Sequence, residues 1–413
     1  MLKRTGKQIA ADYRELVFLC IMGVITGAVV AVFEVIFGKV LTFMDTLNSQ
    51  MAPWVYLLLP LIGVLVVWMF ENWGGLTRKG MNLIFEVSQG KPERIPKRMV
   101  TMMSAGTWLS HLGGASTGRE GVAIQIGAAV SYTIGHFLKP WIKIENARTI
   151  FLVTGMAAGF AGLFGTPFTA VFFAMEVLVA GVLKYRAMAP AICGSLTASW
   201  ISWHLGLKPD VIQLPETYIF DLSHQWWQLL ALGAVFGITG GLFAWSLGKL
   251  RKAFTALIPS SCRRILAGGI ILAVLMWITG GRYCGGGANL IAAPFFGHPV
   301  YWYDWIMKFA LTVFSLAVGY IGGEVTPLFS IGVCLGAILA PVLGLPVELA
   351  AALGCAAVFG AGTNTWLSAM MVGMELFGME YFPFFFCVCS CAYLVNRNHS
   401  IYSLQQRYGS HDA

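Results

Sequence analysis

The residue in this chain with the fewest bland explanations is Glu120, set among glycines at the head of an apolar run, Gly118-Arg119-Glu120-Gly121-Val122-Ala123-Ile124-Gln125-Ile126-Gly127. A carboxylate facing hydrocarbon costs roughly 2.5 kcal/mol or more, so it persists where it has a partner, a cavity or a task. Adjacent Arg119 is not that partner, because neighbouring residues on a helix do not face each other. Arg119 is read as the structural partner of some other acid. A second acid, Glu324 in Gly323-Glu324-Val325-Thr326-Pro327, has a similar setting. Acids of this kind carry protons or compete with anions.

Other chemistry finds little support. The seven histidines are scattered with no i, i+4 pairing, and the nine cysteines form no spaced extracellular framework. Cys387, Cys389 and Cys391 alternate along a predicted helix, which spreads them over different faces and makes them small apolar filler. No metal site and no cofactor are expected. No GxxxxGK[ST] loop and no nucleophile with a base is evident, so neither an ATP-driven pump nor a hydrolase fits, and the chain is not read as an enzyme.

The elements that position these acids are membrane spans. The 413 residues are 57% hydrophobic and only 11% charged, with mean hydropathy +0.73. That composition is an integral membrane protein's, and the bilayer is the expected partner. The net charge of +8 sits in short clusters between apolar runs rather than in a nucleic-acid-binding patch. The basic segment 1–14 and the clusters Arg78, Lys79, Lys91, Arg94, Lys97 and Arg98 share one side, which predicts a cytoplasmic N-terminus. No cleaved leader is expected, since the apolar run after residue 14 is long enough to span.

Runs 16–40 and 54–70 read as an out-and-back pair. Gly80-Met81-Asn82-Leu83-Ile84-Phe85-Glu86 is too short to span, which predicts a helix entering part-way with free N–H groups at membrane depth. Residues 99–112 form a further span. The run 122–137 is a second helix starting inside the membrane. Two converging helix N-termini make an anion site without Lys or Arg. Residues 150–183 are expected to split at Pro167, and 188–205 to span again. The polar interval 207–224 reads as a linker, with the first membrane repeat at 1–206 and the second, with a short tail, at 225–413.

The two repeats are visible in the sequence. Residues 155–177 match 354–376 without a gap, including Gly155 with Gly354, Thr166 with Thr365 and Glu176 with Glu375, at an offset of about 199. Gly-Met-Asn-Leu-Ile at Gly80 returns as Gly-Ala-Asn-Leu-Ile at Gly287, and Gly118-Arg119-Glu120 returns as Gly322-Gly323-Glu324, at offsets of about 207 and 204. Duplicated membrane folds commonly place their substrate at the repeat interface, on broken helices near the midplane. The matched motifs are those broken helices.

With these residues in view, the chain resembles the CLC family of anion channels and anion/proton antiporters. Glu120 lies in a likeness of the family's GREGP signature, Gly323-Glu324-Val325-Thr326-Pro327 stands at its GxFxP, and Ser400-Ile401-Tyr402-Ser403 resembles the segment bearing its central tyrosine. The resemblance implies an all-α polytopic fold of inverted repeats with broken, re-entrant helices, assembled as a homodimer. The branch follows from departures. Met81 stands where chloride-transporting members place a serine, Glu324 and Thr326 make GEVTP, and Val177 replaces the inner proton-relay Glu of many chloride exchangers. That pattern is similar to the fluoride/proton antiporter branch. The implied anion contacts are Gly80, Met81, Gly118, Gly121, Val122, Val325, Thr326 and Tyr402, with Glu120 and Glu324 handling protons. Fluoride would leave the cytoplasm across a bacterial inner membrane in exchange for protons.

Plainer readings stand beside these. Glu324 is alternatively a buried hydrogen-bond donor, Thr326 a helix cap, Met81 filler and Tyr402 an interfacial anchor; Glu176 and Glu375 are read as structural. By bare chemistry a thioether is a poorer anion ligand than a hydroxyl, so the fluoride assignment comes from the resemblance alone. A chloride or mixed-anion exchanger and a passive anion channel are the rivals. Dimer contacts are expected on apolar faces of 188–205 and 347–377.

Overall fold

The computed structural model describes residues 6–138, 144, 146–208, 211, 212, 214, 218 and 222–407. Half of the predicted linker 207–224 therefore lies outside the described residues, and its last three positions are already helical. Helices occur in two sets of eight. The first comprises α1 (Gly6–Met51), α2 (Leu59–Met69), α3 (Met81–Ser88), α4 (Met99–Leu112), α5 (Glu120–Leu138), α6 (Ala147–Phe164), α7 (Pro167–Glu176) and α8 (Met188–His204). The second repeats it as α9 (Leu222–Leu257), α10 (Ser261–Ile278), α11 (Ala288–Ala292), α12 (Asp304–Val318), α13 (Val325–Leu343), α14 (Val347–Thr363), α15 (Leu367–Phe377) and α16 (Phe382–Val395).

Packing follows the same pairing in each set. α5 lies on α6 as α13 lies on α14, and α1 on α8 as α9 on α16. Glycine makes the first contact possible: a Cβ on Gly127 would strike the Gly155 carbonyl, and one on Gly332 would strike that of Gly354. Close backbone approach of this kind is how helices associate where lipid offers no hydrophobic drive. The two sets are inverted, as α7 and α15 record. The Glu375 carboxylate, at the end of α15, accepts from the N–H groups of Phe168 (2.9 Å) and Thr169 (2.7 Å) at the start of α7. Reciprocally, Glu176 at the end of α7 accepts from Trp366 (2.6 Å), Leu367 (3.2 Å) and Ser368 (3.2 Å) at the start of α15. Each acid satisfies orphan donors of the other repeat, the structural role expected for both.

Among the described residues seven helical stretches are long and apolar enough to cross a membrane. Their outward faces are greasy: Leu61, Trp200, Ile270, Val274 and Ile278 are all more than half exposed, as lipid contact requires. α14 corrects the expected dimer surface over 347–377. It is buried inside the chain from Leu349 to Thr363, between α9, α13 and α16, because an all-apolar helix of small residues packs on every side. α8 keeps exposed residues, among them Leu196, Trp200 and Trp203, whereas α15 is buried or half-buried throughout.

Candidate functional site

Glu120 opens α5, and its side chain is fully buried. One carboxylate oxygen, Oε2, accepts from the Arg119 N–H at 3.0 Å and from the Thr326 N–H at 3.0 Å. The other, Oε1, accepts from the Thr326 hydroxyl. The carboxylate thus rests where the N-termini of α5 and α13 converge, in the partial positive charge of both helices. Thr326 lies one residue inside α13, and its hydroxyl turns to Glu120 rather than capping its own helix.

An antiparallel bridge fixes this convergence. The Gly118 N–H donates to Gly323 O at 2.6 Å, and the Gly323 N–H to Gly118 O at 2.7 Å. A side-chain carbon on Gly323 would lie 2.8 to 3.3 Å from the nitrogens of Gly121, Glu120 and Arg119, so only glycine leaves that row of donors open. The bridge also corrects the repeat register. Each helix starts two residues after its bridged glycine, at Glu120 and Val325, so Glu120 corresponds to Val325, and Glu324 to Arg119. Two successive glycines in Gly322-Gly323 let the sequence match slip by one residue.

Two clefts flank the residues around Glu120, one towards each end of α4. A basic cleft of about 410 Å³, at the Met103 end, is lined by Arg78, Lys79 and Arg251 together with Gly80, Met81, Glu324 and Tyr402. The other, about 570 Å³ at the His111 end, is lined by Asp45, His111, Gly118, Arg119 and Thr326. Glu120 lines neither cleft; its neighbours Gly118, Arg119 and Thr326 line the one and Glu324 the other.

The predicted site residues divide accordingly. Gly80 caps α3 with φ of 54°, a left-handed value suited to glycine, and opens that helix N-terminus to the basic cleft with Met81 beside it. Tyr402 is 5% exposed, its ring tilted against Phe85 with ring centres 5.5 Å apart, and its hydroxyl has no partner. A buried phenol without an acceptor leaves a donor unsatisfied. The tail holding it is pinned by Ile401 N–H to Gly362 O (2.9 Å), by Gln405 Nε2 to Val177 O (2.9 Å), and by strands β1 (Val179–Ala180) and β2 (Gln406–Arg407) in parallel. Val177 is wholly buried, so no acid stands there.

Gly121, Val122 and Val325 lie in the first turns beside Glu120, yet none donates to its carboxylate. The Val122 N–H is spent on Arg119 O at 3.2 Å, as any α-helical geometry this close to a start tends to require. The donor that sequence reasoning missed is the Arg119 main chain. Its guanidinium lies over the Phe164 ring, 5.1 Å from the centre, in the cleft at the His111 end.

A family model described as voltage gated chloride channel matches residues 62–397. A "Chloride/fluoride channel protein" of Pseudomonas syringae pv. tomato is 38% identical over 364 residues, covering 86% of this chain and 79% of the relative. Among solved structures, a CLC-type fluoride/proton antiporter is similar with a TM-score of 0.91 at 40% identity, covering 98% of this chain and 100% of that one. A slow cyanobacterial Cl-/H+ antiporter shares the fold, with a TM-score of 0.78 at 24% identity over 93% and 94% of the two chains.

Proposed function

The chain belongs to the voltage gated chloride channel family, a family of membrane transporters, and from that premise we propose that it exports cytoplasmic fluoride in exchange for protons. The carrying observation is the Glu120 carboxylate on donors of Arg119 and Thr326, between two clefts. Deprotonated, Glu120 is a tethered anion in the anion's own place. Protonated, it loses its attraction to the helix termini and leaves. Fluoride and the ionised carboxylate exclude one another, so anion occupancy favours the protonated, displaced acid, and that linkage couples the two fluxes.

The basic cleft faces the cytoplasm in this reading, in line with positive-inside bias, and the His111 cleft faces out. Fluoride enters past Met81 and Tyr402, whose hydroxyl supplies a donor; Gly80, Gly118, Gly121, Val122, Val325 and Thr326 form the backbone lining. Glu324 stands in the same cleft and passes protons between Glu120 and the cytoplasm, the task an acid at position 177 would otherwise serve. The site is a bacterial inner-membrane one, and two copies form a dimer with separate pathways.

Support for fluoride comes from Met81 and Glu324 and from the 40% identical fluoride/proton antiporter. The name of the Pseudomonas relative favours a second reading, a channel open to chloride as well. Efflux from liposomes loaded with fluoride or chloride, with external pH recorded, separates them. Exchange predicts fluoride movement that drives protons uphill, with chloride far slower. Equal chloride flux, or fluoride flux that drives no protons, would favour the rivals.

A further inference from the structure

The cleft at the His111 end holds an acid–imidazole pair that the exchange scheme leaves unused. Asp45 of α1 lies 2.8 Å from His111 Nδ1, with the carboxylate half exposed and the imidazole almost wholly buried. In the tautomer whose Nδ1–H donates to the Asp45 carboxylate, His111 presents Nε2 as an acceptor, and that atom is buried with no partner. Two glycines separate the ring from the gate. A side-chain carbon on Gly285 would lie 3.4 Å from His111 Nδ1, and one on Gly286 would lie 2.9 Å from Thr326 Cβ. Thr326 in turn grips Glu120.

We propose that Asp45 and His111 form a proton-transfer pair that loads and unloads Glu120 from this cleft; the proposal rests on the proton-exchange reading above. Asp45 stays ionised against the Nδ1–H of the ring, and His111 takes a proton from the cleft on Nε2, becoming an imidazolium that this carboxylate stabilises. When Glu120 leaves Arg119 and Thr326 it enters the cleft that those residues share with His111, and the imidazolium gives its proton to the carboxylate. Neutral imidazole and neutral carboxyl result, with no other reactant. Among the described residues lining this cleft, His111 supplies the imidazole that can take and give a proton, and Asp45 is its partner. Around His111 stand Asp45 from α1, paired with the ring, Arg119 ahead of α5, which lines the same cleft, Tyr56 and Cys284 against Gly114, and Lys308 of α12, which holds the carbonyl of Gly285. The Lys308 ammonium is tied to Ser116 Oγ at 2.9 Å, Tyr283 O at 3.0 Å and Gly285 O at 2.6 Å, so it holds the wall of the cleft rather than moving protons.

The test is the rate of fluoride-driven proton uptake in proteoliposomes against external pH, for the wild type, Asp45→Asn and His111→Gln. Near pH 7.5, where free protons are scarce, both variants should run several-fold slower. Near pH 5 they should converge on the wild type, with the fluoride-to-proton ratio unchanged and with external imidazole restoring His111→Gln. Wild-type rates and pH profile in both variants would overturn the proposal, as would a loss equal at every pH and indifferent to imidazole. If the wild type itself moves no protons under the same gradient, the exchange reading fails instead.

Discussion

Thr326 presents both its backbone N–H and its hydroxyl to the carboxylate of Glu120, from 206 positions further along the chain. Two helix starts from different repeats therefore close on one charge. If the same donors receive fluoride once Glu120 leaves, removing the hydroxyl weakens the anion site while the backbone donor stays. In a Glu120→Gln background, Thr326→Val should lower fluoride affinity by about tenfold, since a hydrogen bond to a charged group is worth roughly 1.5 kcal/mol or more. Calorimetric titration reads this directly, and unchanged affinity would remove Thr326 from the site.

Glu324 shares the basic cleft with Tyr402 and Met81. As a proton carrier it is replaceable in shape but not in chemistry by glutamine. Glu324→Gln should move fluoride down its gradient while driving protons several-fold more slowly. Measured with paired fluoride and pH electrodes, an undiminished proton flux would leave Glu324 a structural residue.

The reciprocal caps are a stability statement. Glu176→Ala and Glu375→Ala each strip a charged acceptor from a helix N-terminus, at a cost of about 1.5 to 3 kcal/mol. The melting temperature in detergent should fall by several degrees for either change. A ten-residue α7 puts the two caps about 15 Å apart, so their effects should add. A double variant no less stable than either single one would show that one cap alone matters.

Packing sets a sharper contrast. A Cβ on Gly127 meets the Gly155 carbonyl, whereas one on Gly248 meets nothing within 4 Å. Gly127→Val should abolish a monodisperse peak in size-exclusion chromatography. Gly248→Ala should keep it and gain up to about 1 kcal/mol of helix propensity. Similar profiles for the two would mean that α5 and α6 separate more easily than their backbone contact implies.

Much of the fold was legible because glycine and proline punctuate an otherwise apolar chain. Pro167 splits α6 from α7 as expected, and Gly80 starts the short α3. Glu120 was legible for a similar reason: a carboxylate in hydrocarbon demands an account. What the sequence could not supply was anything decided between repeats. The choice between Gly322 and Gly323 rests on a hydrogen-bonded bridge, and Thr326 became a ligand of Glu120 only because α13 starts beside α5. The burial of α14 was equally invisible, since a helix of alanine and glycine reads the same against lipid, a partner or its own chain.

The most direct test of the central claim is the proton flux driven by an outward fluoride gradient in proteoliposomes, compared between the wild type and Glu120→Gln at clamped voltage. The wild type should pull protons inward against their own gradient, and Glu120→Gln should show none of that uphill movement. Uphill proton uptake persisting in Glu120→Gln would contradict the account, because the proton and the anion would then not trade places at Glu120.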